Sequence, residues 1–187
     1  MNRVHRWYCR SFLWKKVLNV GIVPWALKAL ELGENVLEVG PGPGLTTDIL
    51  RQRFRQVTSI EIDPKLANAL KHRLAGTNVS VIEGDATTMP FEDKSFSGAL
   101  SFTMLHHVPS PDLQDRLLAE VYRVLKPSGI FAGTDSTWSV AFQLFHLFDT
   151  MVMVEPATFG KRLEAVGFRD VEVEVASRVF RFRATRP

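Results

Sequence analysis

The chain has 187 residues, of which 45% are hydrophobic and 23% are charged. This length allows one domain with a sizeable core, and this balance is typical of a soluble globular protein. A net charge of +3 is too mild to indicate a nucleic-acid partner, and no apolar run approaches the roughly 20 residues that cross a bilayer.

Cysteine usage and the N-terminus indicate a cytoplasmic location. Cys9 is the only cysteine, so no intramolecular disulfide can form and a reducing compartment is expected. Basic residues interrupt the aromatic N-terminal segment, which is unlike a secretory signal. We expect a single domain over residues 1–187, with an N-terminal helical lid at 1–24 and a substrate-side segment at 136–158.

Hydrophobic periodicity predicts helices that alternate with strands, and therefore an α/β fold with a mostly parallel sheet and helices on both faces. The last two strands form a predicted antiparallel hairpin, in which Glu172 and Glu174 face arginines across the strands. In chain order the prediction is helix 25–32, strand 35–39, helix 45–53, strand 56–62, helix 64–74, strand 79–83, strand 97–102, helix 112–125, strand 130–134, helix 159–166, and strands 171–175 and 179–184.

Residues 36–47, V-L-E-V-G-P-G-P-G-L-T-T, are the most informative stretch. A predicted strand ends in Gly40, Gly42 and Gly44, and a helix follows. Glycines let the backbone approach a ligand closely, and a helix N-terminus offers unpaired N–H groups. The nicotinamide-type fingerprint G-x-G-x-x-G puts its third glycine one place later and has no acid two residues before the first. The stretch therefore predicts a nucleotide-type site of a different kind.

The pattern E-x-G-x-G-x-G, which begins at Glu38, resembles motif I of class I S-adenosylmethionine (SAM)-dependent methyltransferases. The resemblance covers about residues 35–134, and the strings L-H-H-V at 105–108 and E-V-Y-R-V-L-K-P-S-G at 120–129 are similar to small-molecule methyltransferases such as the quinone-biosynthesis C-methylases. One departure is Ser128, where that subgroup usually has a second glycine. The resemblance implies a Rossmann-like sheet of seven strands with an antiparallel terminal strand, and SAM as cofactor.

The resemblance also implies which residues bind SAM, at the carboxyl ends of the first four strands. Glu38 would help to hold the amino-acid end of SAM, Glu61 would accept hydrogen bonds from the ribose hydroxyls, and Asp85 would accept from the adenine amino group. The predicted set is Glu38, Gly40, Gly42, Gly44, Thr47, Glu61, Ile62, Asp85, Ala86, Ser101 and Phe102.

The predicted acceptor is a small, apolar molecule such as a lipid, a quinone or a polyketide-like ring. Apolar residues follow the fifth strand, and aromatic residues of the N-terminal segment (Trp7, Tyr8, Phe12 and Trp14) could roof a pocket above them. Packing of these residues without ligand contact is an open alternative, and membrane-surface binding by the N-terminal helix is another. We expect a monomer or homodimer without stable membrane insertion.

Four residues are candidates for a general base: His106, His107, Asp135 and His146; Glu155 is weaker. A packing or hydrogen-bonding role for the histidine pair is the alternative. No metal site is predicted, because the central histidines lack convergent spacing with cysteine or carboxylate partners.

Two other functions stay open. The glycine motif also resembles that of the rRNA adenine dimethylases, yet residues 101–104, S-F-T-M, lack their Asn/Asp-x-x-aromatic motif with proline, so a nucleic-acid acceptor is not favoured. The second alternative is a non-catalytic SAM-binding subunit.

Overall fold

The computed structural model describes residues 11–145 and 149–187, and the strands in these ranges form one sheet. The spatial order is β3-β2-β1-β4-β5-β7-β6, and neighbouring strands are parallel except where β7 pairs with β5 and with β6. The predicted α/β sheet with one reversed strand near its end is therefore confirmed. The strands are β1 Asn35–Val39, β2 Gln56–Glu61, β3 Val79–Glu83, β4 Phe96–Phe102, β5 Leu125–Ser136, β6 Arg169–Ala176 and β7 Val179–Thr185.

Helices cover both faces of this sheet. On one face Val36, Leu100 and Ala132 pack against the N-terminal helices, and on the other Leu37 and Phe131 pack with the helices that follow β4 and β5. Within the described ranges the helices are α1 Phe12–Val17, α2 Val23–Ala26, α3 Leu45–Leu50, α4 Pro64–Arg73, α5 Pro111–Val124, α6 Val140–Phe145 and α7 Pro156–Val166; a π-helical turn, Leu18–Ile22, joins α1 to α2.

Two helix ends have capping residues of the usual kind. The Asp63 carboxylate accepts hydrogen bonds from the backbone N–H groups of Lys65 and Leu66, and Pro64 occupies the first helical position of α4. Gly167 ends α7 with a φ of +118°, in the left-handed region that glycine adopts without strain.

The helix predicted at 25–32 was wrong. The helical segment lies earlier, from Phe12 to Ala26, and Ser11 begins it by accepting a hydrogen bond from the Trp14 N–H. The chain leaves the helical conformation after α2, where Ala29 has a φ of +57°. The apolar residues of this segment are spread nearly all round the helix, so their spacing did not mark one buried face.

The predicted hairpin is confirmed, including its charge pairs. Glu172 lies opposite Arg183 and Glu174 opposite Arg181, and each pair forms a salt bridge. The Arg183 guanidinium lowers the pKa of the Glu172 carboxyl. The last ten residues contain four arginines, Arg178, Arg181, Arg183 and Arg186. Ion pairing within the sheet accounts for two of them, Arg181 and Arg183.

No helix in residues 11–145 and 149–187 is long and apolar enough to cross a membrane.

Candidate functional site

The glycine loop between β1 and α3 is held close to its neighbours. Gly40, Gly42 and Gly44 all have positive φ, and the Gly40 N–H donates to the carbonyl of Ile60 over 2.9 Å. A Cβ on Gly40 would lie 2.2 Å from Cγ of Met104. A Cβ on Gly42 would have no atom within 4 Å, so this glycine faces open space.

Glu38 lies behind this loop and is buried, with 1% of its surface exposed. Its carboxylate accepts hydrogen bonds from the hydroxyls of Thr46 (2.5 Å), Thr47 (2.6 Å) and Ser59 (2.7 Å). Burial raises the pKa of the Glu38 carboxyl, and the three hydroxyl donors offset only part of this effect. One carboxylate therefore joins β1, the first turn of α3 and β2.

Glu61, at the end of β2, has its carboxylate fixed by backbone donors. One oxygen accepts from the Gly42 N–H and the other from the Asp63 N–H, each over 2.9 Å. A carboxylate has about four acceptor positions. Glu61 also lies on the wall of a cavity, so its remaining acceptor positions can serve a ligand such as the two hydroxyls of a ribose.

The loop after β3 forms the next part of the same wall. Asp85, Ala86 and Ile62 line the cavity, and the Ile62 side chain is 67% exposed there. One Asp85 oxygen accepts from the Thr87 N–H over 2.8 Å, which orders this loop. An apolar side chain beside a carboxylate is suited to hold a purine ring with an amino group.

The cavity continues along the carboxyl edge of the sheet and has a volume of about 920 Å³. That volume is at the upper end of the range of about 300–1,000 Å³ found for ligand sites. Phe102 lies at the middle of this edge, at the end of β4. Beyond it the large side chains of the wall, Trp14, Leu18, Ile22 and Phe142, are apolar. Ser136, Thr137 and Ser139 add hydroxyl groups, and Asp149 and Arg178 add two charged groups.

His106 and Asp135 form a buried pair next to this apolar part. Nδ1 of His106 lies 2.5 Å from one Asp135 oxygen, and the other oxygen accepts from the backbone N–H of His106 over 3.1 Å. Because a carboxylate accepts, the Nδ1 atom carries the ring proton and the Nε2 atom carries the lone pair. His106 lines the cavity, so the pair has the arrangement of a general base and the carboxylate that orients it.

The other candidate bases have different surroundings. His107 also lines the cavity, and its Nδ1 lies 3.3 Å from the carbonyl oxygen of Thr150. Glu155 caps the start of α7 through its backbone and does not line the cavity. His146 lies outside the described residues, as do Trp7 and Tyr8 of the expected roof. In the part of the chain that the structure describes, no group of three or more His, Cys, Asp or Glu residues could hold a metal ion.

The structure thus brings seven of the predicted SAM-binding residues onto one wall and places four elsewhere. Gly40, Gly42, Glu61, Ile62, Asp85, Ala86 and Phe102 line the cavity. Glu38, Gly44, Thr47 and Ser101 lie behind this wall, and Ser101 is fully buried. Direct contact of these four with a cofactor stays a prediction. The hydroxyl of Thr47 donates a hydrogen bond to the Glu38 carboxylate, so these two residues also support the loop.

Sequence reasoning missed several wall residues. Thr46 both binds Glu38 and lines the cavity, and its place next to Thr47 was the available signal. Leu18 and Ile22 lie in the helical lid expected at 1–24 and were missed because only the aromatic residues of that lid were considered for the pocket.

Comparisons with known proteins agree with this geometry. A family described as a methyltransferase domain matches residues 37–133, just over half of the chain. A ubiquinone biosynthesis O-methyltransferase from Pseudomonas fluorescens is 32% identical over 137 residues, which are 70% of this chain and 58% of that protein. An rRNA adenine N-6-methyltransferase from Saccharopolyspora erythraea is 49% identical, over only 36% of this chain and 18% of that protein.

The fold has solved counterparts. A SAM-dependent methyltransferase from Aquifex aeolicus superimposes over 100% of both chains with a TM-score of 0.78 and 21% identity. The two curated relatives named above, in contrast, are matched over only part of their own length.

Replacing Glu61 by alanine should weaken SAM binding at least about 100-fold. The variant loses two hydrogen bonds to a charged acceptor, worth about 1.5–3 kcal/mol each. Isothermal titration calorimetry measures the change. Glu83→Ala is the matched control, because Glu83 is an exposed acid that lies beside Glu61 in the sheet and is not on the cavity wall. Equal SAM binding by the Glu61 variant and the wild type would contradict the ribose assignment.

Glu38→Gln should change how stability depends on pH. Since the folded state raises the pKa of Glu38, its stabilising contribution is complete below the ordinary value of 4.5 and is lost as the pH rises through the folded pKa. The wild type should therefore lose stability relative to the variant as the pH rises above about 4.5, by about 1.4 kcal/mol for each tenfold change in proton affinity.

Urea unfolding of both proteins across this pH range, without SAM, measures the difference. Glu83→Gln, which changes an exposed carboxylate outside the cavity wall, is the matched control. If the free energy of unfolding of the wild type instead rises relative to that of the Glu38 variant as the pH rises, the hydrogen bonds would lower the pKa of Glu38 more than burial raises it.

Proposed function

The chain belongs to the methyltransferase-domain family, and from this premise we propose that it is a SAM-dependent methyltransferase whose acceptor is a small, largely apolar molecule. The supporting observation is the continuity of one cavity from the glycine loop, past Phe102, to the wall formed by Trp14, Leu18, Ile22 and Phe142. The acidic residues of the cavity wall at Glu61, Asp63 and Asp85 belong to the other end, where strands β2 and β3 finish.

The residues of the acidic end fit SAM. Gly42 leaves open space for a ligand, the fixed Glu61 carboxylate keeps acceptor positions for a ribose, and Asp85 with Ala86 and Ile62 suits an adenine. When bound, SAM supplies an electrophilic methyl group on its sulfonium. We propose that Phe102 marks the boundary between the cofactor and the acceptor.

The apolar end would orient the acceptor and exclude water. Trp14 and Phe142 offer large rigid surfaces to a ring or chain, and alignment of reactants can supply up to about 7–11 kcal/mol towards a barrier. In this proposal the lid expected at 1–24 and the substrate-side segment expected at 136–158 are the two walls of the acceptor site.

The His106–Asp135 pair supports an acceptor that must lose a proton, such as a phenol or another hydroxyl compound. Asp135 holds the Nδ1 proton of His106, so Nε2 is the atom that would take the proton of the acceptor. The nascent imidazolium would be stabilised by the adjacent carboxylate, which also accepts the Ser136 N–H over 2.6 Å.

An RNA acceptor has weaker support. The rRNA-modifying relative matches only 36% of this chain, whereas the relative named for ubiquinone biosynthesis matches 70% of it. The wall beyond Phe102 also includes the apolar side chains of Leu18, Ile22 and Phe142, which offer no donors to the phosphates and base edges of a nucleic acid.

The acceptor class can be tested with labelled SAM and a panel of quinols, phenolic lipids and structured RNAs. We expect transfer to one or more apolar hydroxyl compounds and none to RNA. Transfer to RNA alone would contradict the proposal. Tight SAM binding without transfer to any acceptor would instead favour a non-catalytic SAM-binding subunit.

His106→Gln should lower kcat by about 10²–10⁴-fold on a hydroxyl acceptor, while the Kd for SAM stays within about threefold of the wild type. Glutamine keeps a donor for Asp135 but no basic ring nitrogen. Steady-state kinetics and calorimetry measure the two quantities. His107→Gln tests the neighbouring ring. A fall in kcat in the His107 variant but not in the His106 variant would show that His106 is not the general base.

A further inference from the structure

The N-terminal helical segment presents apolar side chains on two opposite sides. Leu18, Val23 and Ala26 face the core and are at most 3% exposed. Phe12, Leu13 and Val20 are 83%, 63% and 70% exposed, and Val17 is 39% exposed. Scattered single apolar residues on a surface are ordinary, but four on one short helical segment indicate an interaction surface.

The same region of the sequence carries charges of one sign only. The first 30 residues hold six basic residues (Arg3, Arg6, Arg10, Lys15, Lys16 and Lys28) and no Asp or Glu. The rest of the chain has the other 17 of the 23 basic residues against all 20 acidic ones, a net charge of −3. Lys15 and Lys16 are exposed and lie between the exposed apolar residues. The sequence around these exposed apolar residues is therefore basic and contains no acidic residue.

This segment also forms a wall of the acceptor cavity. Trp14, Val17, Leu18 and Ile22 line it, so Val17 is both on the wall and partly in solvent. On the substrate-side segment, Trp138 is 60% exposed, and its neighbours Thr137 and Ser139 line the same cavity. Exposed apolar groups thus occur on both elements that border the apolar part of the cavity.

We propose that this segment docks on the surface of a bilayer that contains anionic lipids, and that the acceptor passes from that bilayer into the cavity beside Val17. The inference rests on the proposed apolar acceptor. Phe12, Leu13 and Val20 enter the headgroup region, and Lys15 and Lys16 bind the lipid phosphates. Docking is interfacial, since no described helix is long enough to span a membrane.

Two other occupants fit the surface less well. A second copy of the chain would bring the same basic segments together and repel itself. An RNA would bind the lysines but would leave four exposed apolar side chains against a phosphate backbone. A bilayer with anionic lipids satisfies the apolar and the basic groups at once.

Vesicle flotation with the full chain tests the proposal. We expect binding to vesicles of phosphatidylcholine with phosphatidylglycerol, little binding to phosphatidylcholine alone, and weaker binding as salt is added. The double variant Phe12→Ser, Leu13→Ser should reduce the bound fraction at least about tenfold, because it removes two of the apolar side chains that enter the headgroup region. Lys15→Glu with Lys16→Glu should abolish the preference for anionic vesicles.

Matched controls keep the test specific. Val175→Ser alters an exposed apolar residue of β6, and Lys71→Glu alters an exposed lysine of α4; both should bind vesicles as the wild type does. SAM binding, measured by calorimetry, should be unchanged in all these variants and confirms that they fold. The proposal would be overturned if the double variant at Phe12 and Leu13 bound vesicles as well as the wild type does. Binding to RNA but not to vesicles would also overturn it. So would a dimer that the same changes dissociate.

Bilayer docking and methyl transfer to an apolar acceptor can be disproved separately. Transfer to an apolar acceptor in detergent, without any vesicle binding, would overturn the docking and leave the proposed function standing. Vesicle binding without transfer to any apolar acceptor would contradict the proposed function and leave the docking supported only as a surface property.

Discussion

The buried carboxylate of Glu38 is the interaction on which the cofactor end of the cavity depends. It accepts three hydroxyl donors from α3 and β2, so the strand that precedes the glycine loop and the helix that follows it cannot move independently. The loop held in this way directs the Gly42 N–H to Glu61, and Glu61 in turn takes the N–H of Asp63. A carboxylate without contact to the cavity therefore determines the shape of its wall.

The order of the strands separates two kinds of chemistry along one edge of the sheet. The acids of the cavity wall that follow β2 and β3 lie on one side of Phe102, and the apolar wall and the His106–Asp135 pair lie towards β5 on the other. His106 follows β4 and Asp135 lies near the end of β5, and these strands are parallel neighbours. The topology alone brings together two residues that are 29 positions apart.

Much of this arrangement could be predicted because it depends on local signals. Strand β1, the caps at Asp63 and Gly167, and the hairpin pairs of Glu172 and Glu174 each follow from a few neighbouring residues. The end of the N-terminal helical segment could not be placed, because its apolar residues serve both the core and an exposed surface and have no single helical face. Likewise, the E-x-G-x-G-x-G pattern predicted that Glu38 belongs to the cofactor site. That its carboxylate also supports the glycine loop could be learned only from its three hydroxyl partners, two of which lie in α3 and one in β2.

The salt bridges of the terminal hairpin have a consequence for colloidal behaviour. Strand β6 is an outer strand of the sheet, with backbone groups on one side that another chain's strand could pair with. Its exposed Glu172 and Glu174 form ion pairs with arginines of β7, so an approaching strand would have to desolvate charged side chains in order to pair with this edge. The pairs that stabilise the hairpin thus also guard this edge against strand-to-strand aggregation.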